Sequence, residues 1–207
     1  MEKIVSAIFK VESEGFQAMT ELKQAPVTDT YTVPQAVLIK KENGTINVLD
    51  SYDTGMETTD DTLKGGLIGS LIGILGGPIG ILLGGSLGML TGTAIDAGDE
   101  LENASMIEMV SNQIVDGEVV LIALEQTAAG DLGDKLKAKF NVSVVEDKAA
   151  DVAEEIRLAN EAEEELKREA RAKLRETKKE EFKKSVAETQ TKIEAGIQEI
   201  KDKFKKE

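Results

Sequence analysis

Between Lys64 and Asp96 lie 31 consecutive residues without a charge, GGLIGSLIGILGGPIGILLGGSLGMLTGTAI, and no other stretch of the chain resembles them. As one helix the segment would be about 46 Å long at 1.5 Å per residue, well beyond a hydrocarbon core of roughly 30 Å. Gly76-Gly77-Pro78 argues against one helix: glycines suit a helix end, proline suits a helix start, and the residue before a proline avoids helical angles. The expected structure is therefore two short helices folded back on each other.

Each arm carries a glycine every fourth residue, Gly65, Gly69, Gly73 and Gly77 in the first and Gly80, Gly84, Gly88 and Gly92 in the second. Glycine inside a helix is about 1 kcal/mol less favourable than alanine, so the interior glycines together cost on the order of 6 kcal/mol. The physical use of such a stripe is close approach of two backbones across small-xxx-small faces. The remaining faces are Leu, Ile and Met, and a helix apolar all round has to be buried all round. These eight glycines are the expected self-association residues. Copies of the chain, or lipid, are the expected partners, because one face of a small sheet is too little to cover the hairpin. Eleven glycines in 28 residues would fill a monomer core poorly.

The flanks read as an α+β domain. Ile4–Phe9 is a short β-branched run, followed by a helix with Phe16, Met19 and Leu22 at helical spacing, closed by Pro26. Residues 36–41 and 45–52 are strand-like on either side of Asn43-Gly44, a pair suited to the positive φ angles of a hairpin turn. Beyond the apolar segment, Leu101, Ile107, Val110 and Ile114 mark a second helix, with Asp99, Glu100 and Glu102 favourably placed in its first turn, and Glu118–Leu124 is another strand. The order β-α-β-β-α-β is that of a ferredoxin-like domain. A short helix at 131–140 and a strand at Val142–Val145 follow it.

From Asp147 onward the chain has no Pro and a single Gly, Gly196, and is dense in Ala, Glu, Lys and Arg, so one long helix is expected. Acid-first pairs four apart, Glu163/Lys167, Glu164/Arg168, Glu169/Lys173 and Glu180/Lys184, support it. Its apolar stripe, from Val152 and Ile156 through Leu166 and Leu174 to Phe204, is narrow and changes register around 174–182, the pattern of a solvated arm or a weak coiled coil. The expected division is residues 1–63 and 97–146 for the α+β domain, 64–96 for the inserted glycine-zipper hairpin and 147–207 for the helix.

Charge and composition narrow the function. Residues 1–145 hold 9 Lys/Arg against 21 Asp/Glu, whereas 146–207 hold 16 against 18. An acidic front offers no face for phosphates, which speaks against a nucleic-acid partner. The chain contains no Cys, His or Trp, which removes thiolate and imidazole chemistry and the usual zinc ligands. Met1–Lys10 has no continuous apolar stretch of a secretory signal, so a cytoplasmic start is expected. The glycine run lacks the GxxxxGK[ST] phosphate loop, and the acids Asp50, Asp53, Glu57, Asp60 and Asp61 lack calcium-loop spacing and read as a solvated loop. No catalytic, cofactor or metal constellation stands out.

The run KGGLIGSLIGILGGPIGILLGGSLGMLTGTAID, preceded by a strand-helix-hairpin and followed by an acidic helix start and the strand EVVLIALEQ, resembles a bacterial family catalogued as domain of unknown function 1269, described as predicted membrane proteins. The resemblance covers residues 1–150. It implies no activity, cofactor or catalytic residue, and the charged tail is longer than the family pattern. The expected function is a non-enzymatic, homo-oligomeric protein whose glycine zipper docks on its copies and dips into the cytoplasmic membrane. The alternative is a soluble scaffold or cage with the hairpins buried between subunits.

Overall fold

The computed structural model describes residues 1–56, 66–78, 80, 105–126 and 131–204, with side chains described through residue 186 and at 188. Five strands form one antiparallel sheet: β1 (Glu2–Phe9), β2 (Thr32–Glu42), β3 (Thr45–Asp53), β4 (Val119–Gln126) and β5 (Ser143–Lys148). Among the described residues there are five helices: α1 (Glu12–Gln24), α2 (Gly66–Leu75), α3 (Met106–Gln113), α4 (Leu132–Lys139) and α5 (Ala149–Phe204). The α+β class and the long terminal helix are as the sequence indicates.

The strand order is β3-β2-β4-β1-β5. In a ferredoxin-like sheet β1 and β3 are central neighbours; here β4 lies between β1 and β2, and β3 is at the edge. Burial explains the choice. Seven of the eight β4 residues, Val119 to Glu125, are buried, and a strand apolar on both faces belongs in the middle of a sheet. β3 is exposed along most of its length and carries a bulge opposite Leu38/Ile39, features that suit an edge. The β2–β3 turn is the expected Asn43-Gly44, at φ 52° and 74°.

Both faces of the sheet are covered. On one, α1 and α4 pack Ala18, Met19, Leu22, Leu132 and Leu136 against Val5, Leu38 and Leu121. Gly15 belongs to this contact: a Cβ there would lie 2.7 Å from Val119 Cγ2, so the helix sits closer to the sheet than any other residue would allow. Phe16, expected inward, is 37% exposed.

On the other face α2, α3 and the start of α5 pack against Ile4, Ile8, Val37, Ile39, Val120 and Ile122. Leu67, Ile68, Leu71, Ile74 and Leu75 of α2 are all buried in this cluster. The helix of the first arm of the 64–96 segment is thus a core helix, because the second sheet face supplies the apolar surface that the arm needs.

The start of α5 belongs to the same core. Val152 and Ile156 are fully buried in the same cluster, and the chain divides into two compact units at Glu161/Ala162. In the second unit every side chain from Glu164 to Val186 is exposed. Of the four expected acid-first pairs, only Glu163–Lys167 closes, at 2.8 Å.

Candidate self-association surface

α2 is two-faced. Five of its six large apolar side chains are buried in the core and Ile72 is partly buried, while Gly69 and Gly73 are exposed, and no described atom lies within 4 Å of a Cβ built at either. The local sequence explains the split: Leu and Ile at 67, 68, 71, 74 and 75 follow helical spacing on one side, and glycines four apart fall on the other. Gly77 lies just past the helix, where its amide donates to the Ile74 carbonyl at 3.1 Å. Gly80 is buried against the chain, and a Cβ there would strike the carbonyl oxygens of Leu75 and Ile74. Its missing side chain lets the backbone pass this close to the end of α2. Gly65, Gly84, Gly88 and Gly92 lie outside the described residues. Of the eight expected glycines, then, Gly69 and Gly73 share an open face, whereas Gly80 is used within the chain.

Beside this face runs a groove of about 630 Å³ between α2 and the β2–β3 edge, bordered by Gln35, Val37, Tyr52, Gly66, Gly69 and Ile72. Its walls are held in place. The Tyr52 hydroxyl donates to the Val33 carbonyl at 3.1 Å, and burial pushes the phenol well above its ordinary pKa. Gln35 donates to Asp53 at 2.9 Å. A second cavity, about 380 Å³, lies where α2 ends, with Lys41, Thr45, Ile46, Leu75, Gly80 and Ser111 in its walls. Lys41 is committed there, donating to the Ile114 carbonyl at 3.2 Å at the end of α3.

The acidic residues of the β3 region are structural. Asp50 pairs with Lys23 at 2.5 Å, and Asp53 accepts from Gln35 and from the Gly55 amide. Glu57, Asp60 and Asp61 lie outside the described residues, and among those described no group of three or more acids is arranged to hold a metal. Among the described residues no helix is long and apolar enough to cross a membrane.

Two acids have roles that the sequence reading did not assign. Glu125, fully buried in β4, accepts from the Asp131 and Leu132 amides at 3.1 Å each and so caps α4. Glu155 of α5 does the same for α3, through the amides of Met106 and Ile107. Glu125 left a signal, a lone acid in an apolar strand; Glu155 is one of many glutamates and left none. The described helix α3 begins at Met106 with Ser105 accepting from the Glu108 amide, and the expected first turn, Asp99 to Glu102, lies outside the described residues. Comparison with family models, curated proteins and solved structures finds no match to this chain.

Proposed function

We propose that the chain is a non-enzymatic protein that assembles with copies of itself through the glycine-bearing face of α2, continued by the glycines of the second arm. One observation carries the reading: α2 turns its Leu and Ile side chains into its own core and leaves Gly69 and Gly73 open on the other side. On an exposed helix face alanine would serve the monomer better, by about 1 kcal/mol at each site. Backbone contact with a second copy is a use that offsets this, and a symmetric pair brings the same face of each subunit together. Engagement of α2 in the core favours hairpins buried between subunits over a hairpin inserted in lipid. The uncharged length of residues 65–95 supports a second reading, a shallow dip into the cytoplasmic membrane from a cytoplasmic body. In this reading the chain is a relative of the family that it resembles, domain of unknown function 1269.

The test is Gly69→Leu with Gly73→Leu. Among the described residues no atom lies within 4 Å of a Cβ at either site, so folding should survive while close packing between copies is blocked. Sizing and cross-linking at equal concentration should show the variant as monomer where the wild type is an oligomer, with unchanged circular dichroism. Unchanged assembly of the folded variant would overturn the proposal. Flotation of the wild type with vesicles of neutral lipid, lost in the variant, would favour the membrane reading instead.

A further inference from the structure

The long helix α5 carries a second, independent surface. Leu158, Ala162, Leu166, Ala170 and Leu174 recur every fourth residue, and successive members of such a row turn by only about 40° around a helix, so they form one continuous ridge. Its leucines are open among the described residues: Leu158, Leu166 and Leu174 are 52%, 43% and 60% exposed. The ridge is symmetric about Leu166, reading Leu-Ala-Leu-Ala-Leu in either direction.

Charge is segregated about the same point. Residues 154–165 hold six glutamates and one basic residue, Arg157, whereas 167–179 hold seven Lys/Arg and two glutamates. We propose that two copies of α5 pair antiparallel, crossing at Leu166. Leu158 of one copy then meets Leu174 of the other, and Ala162 meets Ala170, a small pair that lets the helices approach closely. The acidic block of each copy lies against the basic block of the other, with Glu161 opposite Arg171, Glu164 opposite Arg168 and Glu165 opposite Lys167. Parallel, in-register pairing would set like blocks together, so charge selects the antiparallel arrangement. Glu164, Glu165, Arg168 and Arg171 form no ion pair within the chain among the described residues, although Glu164 and Arg168 stand at a spacing that allows one. The two like-charge pairs of this register are Arg157/Arg175 and Glu163/Glu169. They are eased by the bonds that Arg157 already makes to Glu154 and Glu161 and that Glu163 makes to Lys167. The pairing does not rest on the glycine face, and either can fail alone.

The absence of cysteine makes single-cysteine cross-linking clean in the full chain. Under mild oxidation Leu166→Cys should link to itself. Leu158→Cys and Leu174→Cys should each fail to self-link but should link when mixed. Charge swaps supply the second arm. In the Leu166→Cys background, Glu161→Lys with Glu164→Lys, or Arg168→Glu with Arg171→Glu, should each reduce linkage on the order of tenfold. A one-to-one mixture of the two swapped proteins restores every pair and should restore linkage between them. The proposal is overturned if Leu166→Cys links no faster than a cysteine at exposed Val27, if Leu158→Cys links to itself, or if the swapped proteins pair alone as well as mixed. The first of these would identify α5 as a solvated arm.

Discussion

Glu155 holds Met106: its carboxylate accepts the Met106 amide at 3.0 Å across 49 positions of sequence, and the neighbouring Ile107 amide at 3.2 Å. The first turns of α5 thereby satisfy two of the unpaired amides at the start of α3, and a negative group sits where the helix dipole favours it.

Glu155 should give the protein a readable pH dependence. Burial pushes its carboxyl above 4.5, the two amides pull it back, and Asp147 and Asp151 nearby push it up again. The folded protein therefore keeps a proton here that the unfolded chain releases from about pH 4.5, so this contribution to stability is present at low pH and is lost as pH rises through the raised pKa. Glu155→Gln cannot titrate, and its stability relative to wild type should increase with pH above 4.5 in urea unfolding. A difference that stays constant with pH would contradict the assignment. Glu155→Ala strands both amides and should lose about 1–2 kcal/mol.

Substitutions along α2 should divide by face. Leu71, fully buried, should lose about 2–5 kcal/mol on change to Ala. Gly69→Ala and Gly73→Ala, with open space for the new methyl among the described residues, should each stabilise the dissociated monomer by up to about 1 kcal/mol. Gly80→Ala, which forces a methyl against the Leu75 carbonyl, should destabilise it. Denaturant midpoints measured at concentrations low enough to dissociate any oligomer would check all four signs.

Truncation should locate the end of the domain. A chain ending at Glu161 keeps Val152, Glu155 and Ile156 and should unfold cooperatively with nearly wild-type stability. Ending at Glu146 removes those side chains from the core and the cap from α3, and the sharp transition in urea should be lost. If both truncated chains unfold alike, the first turns of α5 contribute nothing to the core.

Much of the element order was legible because it is written in local periodicity. Alternating or β-branched runs marked each strand, Asn43-Gly44 marked the turn between β2 and β3, and the proline-free charged stretch marked α5. The glycine face was legible in part: the four-residue spacing correctly put Gly69 and Gly73 together on one side of a helix. It did not distinguish them from Gly80, whose role depends on how closely its backbone approaches the end of α2. The Ser105 cap and the Glu155 cap illustrate the same limit at two ranges. Ser105 with Glu108 is a local signature that could have been read, whereas Glu155 meets its amides only once two distant segments are packed together.

The sequence by itself determined which residues are apolar, at what period, and hence which face of each element has to be buried. Only the tertiary structure decided what buries it. β4 takes the centre of the sheet and β3 the edge because five strands compete for positions covered on both sides, and the most apolar strand gains most from them. The same competition draws α2 onto the second sheet face, so the helix that looked apolar all round has its Leu and Ile side satisfied within the chain, and among the described residues its glycine side stays open. Periodicity is a property of a segment and can be read from it. Burial is a property of pairs of segments, fixed by the total apolar area that the whole chain can remove from water at once.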